Sequence, residues 1–392
     1  MPTTTLKNLA YRAALPLLAP SPRGKMRAEA SGHAIRHLPE YLRLLAQHHV
    51  LGSSLLIADG AEQAELHVSV DGKIGHAASG GTMYRVASIT KTATALTVLR
   101  LCEAGAFSLN DPVRALLPNG ERDAALEGVT LRQLLSHTSG LRDVPAYASA
   151  LAQGADFHRV LASEGVRGGR PGETFAYCNL GFGLLGCVLE QATGQSVAQV
   201  MAEQLFRPLG MEATLDASAL EEARIMPIRR VLARHPAPDV RVTALGAQAL
   251  SQPDPERHFG HTAGAMYTNA PSLSRMMALI RQEGEIDGAR LLQADSIRQM
   301  TTAHASYGAS SPGMSYGLGL VLLADPTLPG CRLVGHQGFA YGCVDGAFVD
   351  LATGRQVIFL NGGASEARQG RLGLVNRDVL RWALGKELPA WT

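Results

Sequence analysis

Lysine is nearly missing from this chain of 392 residues: of 36 basic residues only five are lysines, and the other 31 are arginines. Cysteine is sparse as well. Cys102, Cys178, Cys187, Cys331 and Cys343 include no C-x-x-C pair, which excludes a zinc ribbon or a dense disulfide framework. Cys331 and Cys343 flank a predicted β-turn, but two separate small apolar residues are the simpler reading. No window approaches the ~18 consecutive apolar residues of a membrane span. The net charge of +2 gives no global pull toward nucleic acid or acidic lipid, so neither is expected as a partner. At the N-terminus, Lys7 and Arg12 precede an apolar run, AALPLLAP, interrupted by Pro16. That is a poor secretory signal and reads equally as a basic leader, so localisation stays open, leaning to the cytoplasm with a periplasmic or secreted site as the alternative.

What is present is regular periodicity at both ends. Residues 38–49 predict a helix, and SSLLIAD and ELHVSV predict strands, the second closing at an Asp71-Gly72 turn. Ser88 to Glu103 predicts a helix closed by Gly105. The middle predicts helices: VTLRQLL capped by Thr130, NLGFGLLGCVLEQATG apolar all round, and SVAQVMAEQLF capped by Ser196. Residues 212–257, with the proline-bearing stretches RHPAPD and SQPDPERH, predict long loops. Strands are expected again at 316–323, 331–336, 343–351 and 355–362, then a terminal helix over 366–385. Strands at both ends with helices between suggest one sheet assembled from the chain ends. The domain reading is an irregular leader over 1–35, an α/β domain from 36–105 and 261–392, and an inserted helical domain over 106–260.

One of the rare lysines sits in YRVASITKTATALTVLRLCEAG, three residues after Ser88. Positions three apart share a helix face, so Ser88 and Lys91 present hydroxyl and amine side by side. A serine hydroxyl is a weak nucleophile until a neighbour takes its proton. Arginine stays protonated, whereas a desolvated lysine can lose its charge near neutrality. The small and apolar flanks of Lys91 point to burial. A helix start adds free N–H groups that favour negative charge. Against this stands the plain alternative of a capping serine and a surface lysine, because S-x-x-K is a short pattern.

Two Tyr-x-Asn triplets occur. Tyr177-Cys178-Asn179 lies at a turn into the apolar helix; its phenol, near an ammonium, would ionise more readily, and its asparagine can bond both lysine and a substrate amide. Tyr267-Thr268-Asn269 reads as structural, with Asn269 and Pro271 starting a helix. In LVGHQGFAYG, an apolar strand ends at His336, Gly338 permits close backbone approach, and the Phe339 N–H can join that of Ser88 as an oxyanion hole. His336 could bind a substrate carboxylate or tune Tyr177.

Taken in order, YRVASITK, LLSHTSGL, PGETFAYCNLGFGLLG, AGAMY and GHQG resemble the serine β-lactamase and penicillin-binding-protein superfamily. The branch most similar is that of class C β-lactamases, D-alanyl-D-alanine carboxypeptidases, D-aminopeptidases and related carboxylesterases. The resemblance implies an α+β fold, β-lactamase-like, with an antiparallel sheet flanked by helices, an inserted mostly helical domain and the site between them. It implies Ser88 as nucleophile, Lys91 and Tyr177 as its proton handlers, and Asn179, His336, Gly338 and Phe339 as substrate-binding residues. The reaction implied is cleavage of an ester, amide or peptide through an acyl-enzyme, with no metal or organic cofactor. His336 and Gln337 stand where β-lactamases carry lysine and a hydroxyl residue, which favours an esterase or peptidase. A β-lactamase or D-alanyl-D-alanine carboxypeptidase, an acyltransferase and a non-catalytic binding protein are the alternatives. Oligomeric state is left open.

Overall fold

The computed structural model describes residues 10, 13–15, 26–60, 62–70, 78–231, 250–325 and 327–385. Most of the leader, the Asp71-Gly72 turn and RHPAPD lie outside the described residues. Within them, strands β1 (Met26–Ala30), β2 (Gly52–Asp59), β3 (Glu62–Val70), β4 (Ala305–Ser306), β5 (Met314–Tyr316), β6 (Val321–Leu323), β7 (Leu333–Ala340), β8 (Cys343–Asp350) and β9 (Gln356–Asn361) form one antiparallel sheet. Its order is β1-β3-β2-β9-β8-β7-β6-β5-β4. The join between the two chain ends is the β2–β9 ladder, from Ala58 opposite Gln356 to Ser53 opposite Asn361.

Alternation along β2 shows why its sequence is apolar on both faces. Leu56 and Ala58 point into one core, Leu55 and Ile57 into another. The first core holds helices α2 (Thr90–Glu103), α3 (Asn179–Thr193) and α4 (Ala270–Arg281). The second holds α1 (Leu38–Gln47) and α5 (Leu374–Leu384), where Tyr41 stacks on Trp382 at 5.6 Å. Residues of α2 from Thr90 to Leu99 are all buried. Its buried threonines are satisfied locally or across the core: Thr92 donates to Gly319 O at 2.9 Å and Thr94 to Thr262 O at 2.8 Å.

Local signals held where they were strong. Thr130 and Gln133 form a capping box, and Asn269 caps α4 through Ser272 N at 2.9 Å. All five cysteines are free.

Five readings need correction. The run 316–323 is two strands, β5 and β6, joined by a turn in which Gly319 has φ +69°. A Cβ there would lie 2.8 Å from Lys91 O, so close packing on α2 forces the bend. The strand ending at His336 runs on to Ala340. Residues 26–30, read as irregular, form β1 and cover the outer edge of β3. The terminal helix starts at Leu374, because Arg368–Gln369 and Leu372–Gly373 first pair as a small hairpin. Ser88 lies in a 3-10 turn, Ala87–Ile89, one residue ahead of α2 rather than inside it.

Candidate active site

The turn that carries Ser88 is held in an unfavourable backbone state. Ala87 has φ +44°, a region that costs a non-glycine residue on the order of 1–3 kcal/mol. Its neighbours fix it: Val86 N donates to Met266 O at 3.0 Å, and Thr90 Oγ1 donates to Ala87 O at 2.6 Å. From the other side β7 presses in at Gly338, where a Cβ would come 2.4 Å from Val86 O. Glycine at 338 is therefore a packing requirement, and it sets β7 against the serine turn.

Lys91 is fully buried and its Nζ makes three polar contacts: Ala263 O at 2.6 Å, Asn179 Oδ1 at 2.9 Å and Ser88 Oγ at 3.1 Å. A proton count follows. The carbonyl and the amide oxygen can only accept, so they take two N–H bonds. A neutral amine then has its lone pair left for the hydroxyl of Ser88. Burial pulls the Lys91 pKa down to about 7, against the opposing pull of Asp143 and Cys178. The free amine is accordingly well populated at neutral pH.

The Tyr177 phenol is close enough to the Ser88 hydroxyl to act on it, and its ring centroid lies 4.9 Å from Lys91 Nζ. Burial raises its pKa, outweighing the influence of Ser88 and the fields of Arg368 and Arg371. The expectation of an easily ionised phenol is therefore overturned: the group stays protonated and is a donor. Behind it, the His137 ring packs at 4.3 Å and its Nδ1 accepts the Cys178 N–H at 3.2 Å. Cys178 Sγ turns toward Asp143 at 3.4 Å.

Asn179 begins α3 and divides its amide between two partners, with the second Nδ2 N–H used by neither. Its Oδ1 goes to Lys91, while its Nδ2 donates to Asp143 Oδ2 at 2.8 Å. Asp143 also accepts the Asn179 N–H at 3.0 Å and the Leu180 N–H at 2.9 Å, so this carboxylate caps α3 from a distant loop. Nothing in the sequence singles out Asp143. Its local setting, RDVPAY, predicts only a turn before the helix that starts at Pro145.

His336 is buried, and both ring nitrogens are engaged. Nδ1 lies 2.7 Å from Gln337 O, an acceptor, so Nδ1 carries the proton; Nε2, 3.0 Å from the Tyr316 hydroxyl, accepts from it. Burial and the nearby Lys91 charge push its pKa down to about 3. A neutral, doubly bonded ring is not a carboxylate receptor, which corrects that expectation. At Phe339 the backbone matters. Ala340 and Cys343 close the Tyr341-Gly342 turn, so alternation along the ladder turns the Phe339 N–H away from β8. β6 pairs no further than Gly335 on that side. Ser88, Tyr177, Asn179, His336 and Phe339 all line one cleft of about 220 Å³, with Lys91 beneath it.

The sequence model of the Beta-lactamase family matches residues 33–375. The chain belongs to the β-lactamase family. With that membership it is a serine hydrolase of the β-lactamase fold. It is 30% identical to Esterase EstB of Burkholderia gladioli over 334 residues, covering 76% of this chain and 82% of that protein. Its fold is similar to that of a D-stereospecific amidohydrolase from Streptomyces sp., with TM-score 0.66, 24% identity, and coverage of 91% of this chain and 99% of that one. It is also similar to that of the octameric penicillin-binding protein homologue from Pyrococcus abyssi, with TM-score 0.68, 23% identity, and coverage of 90% and 79%. Among the described residues, no helix of this family member is long and apolar enough to cross a membrane.

Proposed function

We propose that the chain cleaves small carboxylic esters, with amides as the second class, through an acyl-enzyme on Ser88. The observation that carries this reading is the Lys91 amine, 3.1 Å from Ser88 Oγ with its other two contacts on obligate acceptors. As Ser88 Oγ bonds to the substrate carbonyl carbon, its proton passes to Lys91 Nζ. The carbonyl oxygen becomes an oxyanion, held by the backbone N–H groups of Ser88 and Phe339. Its collapse breaks the bond to the leaving group, which takes the Tyr177 phenol proton; the Lys91 ammonium restores that proton. Water then attacks the acyl carbon, gives up a proton along the same route, and Ser88 is released.

Ester preference rests on the His336-Gln337 pair. Neither residue offers a charge or a hydroxyl to a β-lactam carboxylate, and the EstB relative is named an esterase. The test is turnover of p-nitrophenyl hexanoate and of nitrocefin by wild type and Ser88→Ala. Ester turnover should fall at least ~10³-fold in the variant, and nitrocefin should be the poorer substrate of wild type. Ester turnover at the wild-type rate in Ser88→Ala contradicts the nucleophile assignment.

A further inference from the structure

The proton chemistry above uses Ser88, Lys91 and Tyr177 and leaves a buried imidazole beside them without a task. His137 stands in LLSHTSGL and is 1% exposed. It ends the short helix Leu131–Leu135 in a Schellman cap: Thr138 N donates to Gln133 O at 2.9 Å and His137 N to Leu134 O at 3.3 Å. The residue at that point of the cap takes a left-handed backbone and is usually glycine. His137 takes it at φ +57°, a strained state for a residue with a side chain. A histidine in glycine's place points to work done by the ring.

From this cap His137 grips the tyrosine segment on both flanks. Its carbonyl oxygen accepts the Ala176 N–H at 2.8 Å, and its Nδ1 accepts the Cys178 N–H at 3.2 Å. One residue therefore holds the peptide groups before and after Tyr177, and its ring lies 4.3 Å from the Tyr177 ring. With Nδ1 accepting, Nε2 carries the proton. That nitrogen is buried without an acceptor, and the rings of Tyr316 and Phe182 pack on the imidazole at 4.7 and 4.9 Å. Burial, then the charge of Lys91, holds the His137 pKa well below the ordinary histidine value. The Nδ1 lone pair thus stays with the Cys178 N–H while Lys91 takes up and returns the serine proton.

We propose that His137 is a positioning residue for the Tyr177 proton donor, and that loss of its grip slows esters in order of the basicity of their leaving groups. This rests on the Ser88 hydrolase reading, in which Tyr177 protonates the leaving group. In that step the ester C–O bond breaks, the leaving oxygen keeps the bonding pair, and the phenol O–H bond breaks to give it a proton. The phenolate is reprotonated by the Lys91 ammonium. A p-nitrophenolate departs without a proton, whereas an alkoxide needs one. A phenol displaced by about 1 Å therefore costs an alkyl ester on the order of 10²-fold and an activated aryl ester little.

The experiment compares kcat/KM for ethyl hexanoate and p-nitrophenyl hexanoate in wild type, His137→Phe, Tyr177→Phe and the double variant. His137→Phe keeps a ring and removes the acceptor of the Cys178 N–H. It should lower turnover of the ethyl ester by about 10²-fold and of the p-nitrophenyl ester by only a few fold. The double variant should be no slower on the ethyl ester than Tyr177→Phe, because both changes disable one donor. His137→Asn tolerates the positive φ and returns an acceptor oxygen, so it should recover at least about tenfold over His137→Phe on that ester. Equal losses on both esters, losses that add in full in the double variant, or no recovery in His137→Asn overturns the proposal. Each of these leaves Ser88-dependent turnover of the p-nitrophenyl ester intact, whereas failure of the hydrolase reading shows as full turnover in Ser88→Ala. Nitrogen NMR of the labelled imidazoles reads the wild-type protein, with His137→Asn assigning the signal. A neutral ring protonated on Nε2 from pH ~6 to ~8 supports the proposal, and a ring protonated on Nδ1 in that range overturns it.

Discussion

On one side of the cleft, Lys91, Asn179 and Asp143 use their hydrogen-bonding groups on one another and on the backbone. On the other, Arg368 and Arg371 line the same space, Arg368 stacked on Phe339, and neither has an ion-pair partner among the described residues. The buried side lowers the charge of its lysine; the half-open side keeps its charges in full. A group that must give and take a proton gains from desolvation, which brings its pKa to the working pH. A group that must attract an anion gains from staying ionised and unpaired.

Exchanging that chemistry breaks the contrast most severely at Lys91. Lys91→Arg should lower kcat/KM for p-nitrophenyl hexanoate by at least ~10³-fold, because a guanidinium cannot accept the Ser88 proton. Lys91→Met, close in length, should fall as far while keeping the thermal transition. A variant within a few fold of wild type would remove lysine from the proton path. A smaller effect is expected at Asp143. Asp143→Ala strips the cap from α3 and one partner from Asn179, which should lower stability by about 0.5–2 kcal/mol and kcat/KM by roughly tenfold, with partial rescue in Asp143→Asn. Unchanged melting temperature and activity would show that Asn179 is held by Lys91 alone.

Much of the buried side was legible in the sequence, because it depends on near neighbours. Ser88 and Lys91 sit within a turn of each other, and the apolar run after Asn179 announces a core helix. The β2–β9 join was visible as strands at both chain ends. What escaped depends on contacts remote in sequence. Asp143 caps a helix that starts 36 residues later, and nothing in RDVPAY distinguishes that role from a local turn. The bend at Gly319 exists because α2 lies against it, not because its own residues avoid a strand. The hairpin at Arg368 reads in sequence as part of the terminal helix, since Gln337, its clamp, lies 36 residues before Gly373. The charged neighbour of Tyr177 suggests an easily ionised phenol, whereas burial is the larger effect.

The most direct test of this account is the pH dependence of kcat/KM for the neutral ester. Below about 7 the Lys91 amine is protonated and cannot take the serine proton; above it the lone pair is free. The rate should therefore climb with pH along a single limb centred near that value. A profile flat from pH ~5.5 to ~8.5, or one that rises only above ~9 as an ordinary lysine would, contradicts the claim that burial makes Lys91 the base.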